Sequence, residues 1–201
     1  PGSLDASRRY VSEVADDEAI RQIDNHADHR NKRGRIQSGE ELLTVFNGLT
    51  GEAIHTVWYN PNRGYGVGGS AEYAGWGDKT VEGNRGERYL ACVAYLAGMD
   101  KNPSAVMCRG YYTRSYLWAV DFDGKHLSTR WLHASLSSSH WTLADGTGKI
   151  VNEAKHLKAT AYGQGAHSIA VADVDDDGCD EITYGSAAID HAGSLLYSTG
   201  L

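Results

Sequence analysis

The segment that decides the fold is LLTVFNGLTGEAIHTVW, residues 42–58. Its two apolar runs flank the turn NGLTG, residues 47–51, in which glycine accepts the positive φ that tight turns need. This pattern predicts a β-hairpin. Residues 117–131, LWAVDFDGKHLSTRW, repeat the pattern, with Val120 aligned with Val45 and a tryptophan ending each segment. The chain is therefore expected to repeat a β unit.

A second pair of segments repeats in the same order. RYLACVAYL (88–96) and PSAVMCRGYY (103–112) have counterparts in SIAVADV (168–174) and DEITYGSAA (180–188). The implied unit is a sheet of four antiparallel strands, recurring at roughly 75–80 residues, as in β-propeller blades with long loops. A generic β-sandwich is the alternative, because its strands can look equally repetitive.

Strands account for most of the predicted structure from residue 42 onward. They are predicted at residues 42–46, 53–59, 88–96, 105–111, 116–122, 127–133, 168–174, 181–184 and 195–198. Residues 134–164 are predicted to be a long polar segment between strands. Residues 25–201 then amount to about two and a half blades, whereas closed propellers need four to eight, so they are expected to form part of a propeller.

The N-terminal segment, residues 1–24, differs from the rest. Ser12 is a suitable cap for a short helix over residues 13–23, whose early turns are acidic. The first residues, PGS, are instead typical of residues left by cloning. The segment is therefore predicted to be a short helix or a sequence foreign to the domain.

The sequence argues against two classes of protein, one through its charge balance and one through the length of its apolar runs. The chain has 19 Lys and Arg against 26 Asp and Glu, a formal net charge of −7, and no basic block. Nucleic-acid binding depends on clustered Lys and Arg, so it is not expected. The longest apolar runs, such as residues 90–97, are too short to cross a bilayer. Binding of an anionic ligand would need a local source of positive charge, such as a bound metal ion.

The acidic segment DVDDDGCDE, residues 173–181, follows directly on an apolar predicted strand. Its carboxylates at alternate positions, the glycine at its sixth position, the carbonyl at its seventh and the acid at its ninth can surround one hard cation with oxygen ligands. These acids would repel one another without a cation. We therefore predict a structural calcium ion here, and an exposed acidic turn is the alternative.

A histidine follows the segment GQG at the start of the same strand, in GQGAH, residues 163–167. In a propeller, the start of the innermost strand lies near the central channel, so His167 is a candidate ligand or substrate contact. The alternative is a structural histidine.

The three cysteines, Cys92, Cys108 and Cys179, have no metal-ligand spacing. A hairpin centred near Asp100 would place Cys92 opposite Cys108. A disulfide and two free buried thiols both remain open.

Five blocks of the sequence occur together in a known family. They are ADHRNKRGRI (27–36), LTVFNGLTGEAI (43–54), GNRGERYLACVAYL (83–96), VMCRGYYTRS (106–115) and SIAVADVDDDGCDEITYG (168–185). Together they resemble the rhamnogalacturonan lyases of polysaccharide lyase family eleven. The resemblance implies an eight-bladed β-propeller, many bound calcium ions, and cleavage of the rhamnose–galacturonate backbone of pectin.

The same resemblance implies roles for particular residues. The acidic loop matches the family's repeated calcium loops, and the implied calcium ligands are Asp173, Asp175, Asp177, Glu181 and the carbonyl of Cys179. His167 matches a histidine that helps to hold the active-site calcium. Its neighbours Ala166 and Ser168 stand where the family has asparagine, and Asp176 stands where glycine is usual.

The family's second metal-binding histidine and its catalytic basic groups match positions after Leu201. The catalytic base is therefore not assigned, and the 201-residue chain by itself is expected to be inactive.

The sequence thus predicts a calcium-dependent rhamnogalacturonan endolyase that acts by β-elimination, of which this chain is a part. It is expected to be secreted or periplasmic, to bind acidic cell-wall polysaccharide, and to be prone to self-association through open blade edges. The alternative is a non-catalytic, calcium-stabilised propeller segment that binds a glycan or a protein.

Overall fold

The computed structural model describes residues 2–34, 36, 39–62, 85–165 and 168–200. They form an all-β structure with antiparallel sheets, as predicted, and none of the sheets in these ranges closes on itself. Helix is limited in these ranges to two 3₁₀ turns, Val11–Val14 and Arg85–Glu87, and one short α-helix, α1, Glu18–Arg21. None of these helical segments has the length and apolarity to cross a membrane.

Twelve strands are present in the described ranges. In chain order they are β1 Leu42–Phe46, β2 Ala53–Trp58, β3 Tyr89–Ala94, β4 Ser104–Arg109, β5 Ser115–Phe122, β6 Leu127–Ser137, β7 His140–Asp145, β8 Ile150–Ala154, β9 Ile169–Ala172, β10 Glu181–Tyr184, β11 Ala187–Ile189 and β12 Leu195–Ser198.

The described residues fall into two units, the first within Pro1–Ala71 and including Phe122–Leu127. Here β1 and β2 form the predicted antiparallel hairpin, with Leu42 opposite Trp58.

The predicted helix over residues 13–23 is present only as two short turns. Ala15 is extended and bridges to Thr56 of β2, which interrupts the helix. The cap of α1 is Asp17, whose carboxylate accepts a hydrogen bond from the Ala19 amide, and not Ser12.

The second unit lies within Glu72–Asp121 and Ser128–Leu201. It contains a six-stranded sheet in the order β3-β4-β5-β6-β7-β8 and a four-stranded sheet in the order β12-β11-β10-β9. The prediction of a long polar segment over 134–164 is wrong, because β6 continues to Ser137 and is followed by β7 and β8. Buried Ser135 and Thr142 make this stretch look like a loop in the sequence.

The cysteines, all in the described ranges, are free thiols. Cys92 lies opposite Val106, and Cys108 lies opposite Leu90, so the predicted juxtaposition is wrong. The hairpin is centred on Met99 and not on Asp100, which shifts the register by two residues. Burial raises the pKa of the Cys92 thiol to about 11 and also raises the pKa of Cys108, so both are protonated packing groups.

The core of the second unit joins its two sheets. The hydrophobic cluster includes Val106, Leu117, Trp131 and Trp141 from the six-stranded sheet and Ile182, Tyr184 and Ile189 from the four-stranded sheet. Each such side chain contributes roughly 1.5–3 kcal/mol when fully buried. This packing fixes the ends of β9, β10 and β11, where the acidic residues lie.

Candidate cation site

The acidic loop connects β9 to β10, which are antiparallel neighbours. The Asp173 carboxylate accepts hydrogen bonds from the backbone N–H groups of Asp177 (3.1 Å) and Gly178 (2.9 Å). Asp176 and Gly178 have φ values of 63° and 89°, a backbone conformation that aspartate accepts better than most residues and glycine accepts freely. The loop is therefore a defined turn held by hydrogen bonds to the Asp173 carboxylate.

Three predicted ligands converge at the base of this loop. Carboxylate oxygens of Asp173, Asp175 and Glu181 lie within 4.8 Å of one another. Glu181 is fully buried; its Oε2 accepts a hydrogen bond from the Val174 N–H (2.8 Å), while no described residue donates a hydrogen bond to its Oε1. A buried carboxylate oxygen without a partner costs several kcal/mol unless a cation compensates it. These residues fit a calcium ion.

Asp177, a fourth predicted ligand, contacts a histidine as well as the loop backbone, and the predicted role of the Cys179 carbonyl stays a prediction. Asp177 Oδ1 accepts a hydrogen bond from the Cys179 N–H (2.8 Å), and its Oδ2 lies 3.2 Å from His191 Nδ1. Burial, followed by the nearby Asp177 carboxylate, raises the pKa of the Cys179 thiol. Asp177 therefore lies between the carboxylate cluster and a second group of side chains.

His191 and Asp190 belong to this site and were not found from the sequence. His191 Nδ1 lies 3.6 Å from Glu181 Oε1 and 3.7 Å from Asp190 Oδ1. β11 pairs with β10 so that Ile189 faces Ile182, which brings the residues after β11 beside the start of β10. β11 has only three residues and is not predicted from the sequence. Without that strand, nothing in the sequence places His191 near the loop.

The loop and His191 are each anchored to the six-stranded sheet. The Asp180 carboxylate accepts a hydrogen bond from the Tyr95 N–H (2.7 Å), and the Asp180 N–H donates to the Tyr95 carbonyl (3.2 Å). The indole N–H of Trp131 donates to the His191 carbonyl (2.9 Å). Asp180 thus serves to hold the loop in place.

His167 lies outside the described residues, so its predicted role stays a prediction. The preceding Gln164 is buried, and its side-chain oxygen accepts hydrogen bonds from the backbone N–H and the hydroxyl of Ser186, both at 2.9 Å. At Gly165 a methyl group would overlap the carbonyl oxygen of Gly110 and the hydroxyl of Tyr184. The close packing explains the glycine after Gln164.

We expect Gly165→Ala to lower the free energy of unfolding by about 1–3 kcal/mol, because the added methyl must displace backbone atoms. Urea denaturation measures the loss. Gly48→Ala is the matched control, since a Cβ there meets no atom within 4 Å. An equal loss in both variants would contradict the packing explanation.

The fold and the loop together define an antiparallel β protein with a candidate cation site at a strand connection. The chain belongs to rhamnogalacturonan lyase family 11. The family profile described as "Rhamnogalacturonan lyase family 11, C-terminal domain" matches residues 11–201. The match confirms the resemblance seen in the sequence.

Two curated relatives from Bacillus subtilis (strain 168) match most of the chain. The rhamnogalacturonan exolyase YesX is 48% identical over 178 residues, 89% of this chain and 24% of the relative. The rhamnogalacturonan endolyase YesW is 44% identical over 176 residues, 88% of this chain and 24% of the relative. The chain thus spans about a quarter of the length of these relatives.

Solved structures agree with this assignment. The crystal structure of the exotype rhamnogalacturonan lyase YesX has a TM-score of 0.73 and 44% identity, covering 98% of this chain and 26% of that one. The Bacillus licheniformis rhamnogalacturonan lyase PL11 has a TM-score of 0.72 and 44% identity, covering 99% and 27%.

Proposed function

We propose that this chain is part of a calcium-dependent rhamnogalacturonan lyase that cleaves the rhamnose–galacturonate backbone of pectin by β-elimination. The observation that carries the proposal is the family match over residues 11–201. The buried Oε1 of Glu181, which accepts no hydrogen bond from the described residues and lies beside two further carboxylates, supports the calcium part of it.

In β-elimination a base removes the proton at C5 of galacturonate, the bond from C4 to the glycosidic oxygen breaks, and an unsaturated uronide results. Calcium on the substrate carboxylate supplies positive charge that stabilises the negative charge developing as the proton leaves. In this proposal Asp173, Asp175 and Glu181 would hold a structural ion at the hairpin of β9 and β10, and His167 would help to hold the active-site ion. A histidine bound to a metal cannot also serve as the base.

We propose that the blades belong to an eight-bladed propeller. The supporting observation is the sheet β12-β11-β10-β9, in which four consecutive strands pair in chain order and antiparallel, the topology of a propeller blade. The six-stranded sheet would then be a blade extended by β7 and β8.

The test uses the full-length protein and purified rhamnogalacturonan backbone. Ultraviolet absorbance of the unsaturated product is expected to rise with calcium and to stay flat with chelator. Saturable binding of the polymer without product would instead favour the non-catalytic alternative. The absence of both product and binding would contradict the proposed substrate.

We propose attack within the polymer chain and action outside the cytoplasm, where the polymer is found. One curated relative is named an exolyase and the other an endolyase, so product length is the deciding measurement. A broad range of oligosaccharides early in the reaction is expected from internal attack. Release of only the smallest product from the start would show terminal attack.

A further inference from the structure

We propose that Arg88, Tyr111 and Tyr112 form a binding subsite for the rhamnose–galacturonate backbone. In this subsite Tyr112 packs against a rhamnose ring, and Arg88 pairs with the carboxylate of the neighbouring galacturonate. We call these three residues the tyrosine–arginine cluster. The inference rests on the substrate proposed above and assigns binding residues to it.

The first argument is the exposure of the cluster and the contacts within it. Tyr112 is 45% exposed, and its ring centroid lies 4.8 Å from that of the half-buried Tyr111. Arg88 is exposed, and its guanidinium carbon lies 5.1 Å from the centroid of the Tyr111 ring, which is a cation–π contact. An aromatic ring that solvent reaches is therefore held close to an exposed positive charge.

The second argument is the backbone conformation of Tyr112. Its φ is 51°, in the left-handed region that a bulky residue adopts only at a cost and that glycine adopts freely. Strain of this kind is concentrated at ligand-binding sites, and it persists where the surrounding structure holds it. Here the Tyr112 N–H donates to the Gly163 carbonyl (3.3 Å), and the Gly163 N–H donates to the Thr113 carbonyl (2.7 Å). A tyrosine at a position that suits glycine indicates a use for its ring.

The third argument is the place of the cluster in the fold. Gly163, which these two hydrogen bonds join to the turn of Tyr112, begins the GQG segment that leads to His167, the predicted ligand of the active-site calcium. The Gly110 N–H donates to the Arg88 carbonyl (2.9 Å), so Arg88, directly before β3, is fixed beside the same turn. The cluster is thus bonded to the segment from which His167 follows.

The fourth argument is the local charge. The chain has a formal net charge of −7, whereas arginines gather at the cluster. The Arg85 guanidinium donates to the Tyr112 carbonyl (3.1 Å). The buried Arg109 lies 3.5 Å from the Glu87 carboxylate and offsets its charge. Arg85 and Arg88 therefore add positive charge beside the two tyrosines, which complements a polymer that carries a carboxylate on every second sugar.

The chemistry of the polymer matches this arrangement. Rhamnose has a methyl group and apolar C–H faces, and each rhamnose is followed by a galacturonate with its carboxylate. An aromatic ring packs against apolar C–H groups, and a guanidinium binds a carboxylate through two parallel hydrogen bonds. Tyr112 and Arg88, which both contact Tyr111, therefore suit two adjacent sugars of this polymer.

The test uses the full-length protein with calcium and measures KM and kcat on purified rhamnogalacturonan backbone from the absorbance of the unsaturated product. Tyr112→Gly removes the ring and relieves the backbone strain, so it is expected to raise KM about tenfold and to change kcat by less than about threefold. Arg88→Ala removes the partner of the carboxylate and is expected to raise KM about tenfold or more.

The same backbone with its carboxylates reduced to alcohols tests the role of Arg88 directly. The parent protein is expected to bind the intact polymer more tightly than the reduced polymer. Arg88→Ala is expected to lose about tenfold of this preference, whereas Tyr112→Gly is expected to keep it.

Two exposed residues outside the cluster serve as matched controls. Tyr197→Ala removes a tyrosine that is 55% exposed on β12, and Arg30→Ala removes an arginine that pairs with Asp28 (2.6 Å). Both variants are expected to keep the KM of the parent protein. Circular dichroism of each variant separates loss of binding from loss of the fold.

The outcomes separate the subsite from the proposed lyase activity. Product formation with an unchanged KM in Tyr112→Gly and Arg88→Ala overturns the subsite and leaves the activity standing. Saturable binding of the polymer without product, weakened in both variants, supports the subsite and contradicts the activity. An equal rise of KM in the controls, or an unchanged preference for the intact polymer in Arg88→Ala, also overturns the subsite.

Discussion

Removal of calcium is expected to lower the melting temperature of the protein by about 10 °C. A ligand at about a thousandfold its dissociation constant stabilises the folded state by roughly 4 kcal/mol, and 1 kcal/mol shifts the melting temperature of a domain of this size by about 2–4 °C. The proposed cause is the cluster of Asp173, Asp175 and Glu181, whose negative charges would repel one another without the calcium ion that we propose they bind. Thermal unfolding with excess calcium and with chelator measures the shift.

Asp175→Ala is expected to remove most of this calcium-dependent shift, because Asp175 contributes an oxygen to the cluster. The matched control is Asp176→Gly, which removes a charge of the same loop from outside the cluster. Asp176 has φ of 63°, a conformation that glycine accepts, so the control adds no backbone strain. A full calcium shift in Asp175→Ala, or an equal loss in Asp176→Gly, would refute the ligand assignment.

Strands are predicted well where apolar runs are continuous and poorly where the buried side chains are polar. The bounds of β1, β10 and β12 are those predicted, and each is a short segment between turn residues. β7 was missed because its stretch is rich in serine and threonine, although Thr142 is buried. β8 was missed because it has a mostly exposed burial pattern and therefore no hydrophobic alternation.

The same limit applies to the candidate site. The Asp173 carboxylate is held by backbone N–H groups of the same loop, so its position near Asp175 depends on local sequence. His191 arrives from another strand, and its position depends on the pairing of Ile189 with Ile182. β11 has only three residues, too few to show a hydrophobic period, and the register of its pairing with β10 is not visible in the local sequence. The local pattern therefore could not place His191 at the site.

A buried histidine makes stability depend on pH independently of the loop. His133 on β6 is fully buried, and its ring stacks on Trp141 with centroids 5.3 Å apart. Its Nδ1 donates to the Gly193 carbonyl (2.8 Å), and its Nε2 pairs with the Ser135 hydroxyl (2.9 Å). The Ser135 hydroxyl oxygen accepts a hydrogen bond from the Ala161 N–H (3.1 Å), so the hydroxyl proton can be donated to Nε2. The neutral ring therefore satisfies both hydrogen bonds, because Nδ1 carries the proton and donates while Nε2 accepts.

Burial lowers the pKa of His133 from 6.5 to about 4, and the hydrogen bond to Gly193 opposes this only in part. The unfolded chain takes up the proton near pH 6.5, whereas the folded protein takes it up only near pH 4. Between these values the unfolded state binds more protons, so the free energy of unfolding falls as the pH is lowered. At about 1.4 kcal/mol per pH unit, the contribution of His133 to this loss is roughly 3 kcal/mol between pH 7 and pH 4.

His133→Asn tests this assignment, because its amide nitrogen takes the place of Nδ1 and can donate to Gly193 without titrating. The variant is expected to be less stable than the parent protein at pH 7 and to lose about 3 kcal/mol less on acidification to pH 4. Urea denaturation across this range, compared between variants, separates His133 from the carboxylates that titrate in the same range. If His133→Asn and the parent protein lose equal stability on acidification, the buried ring is not its source.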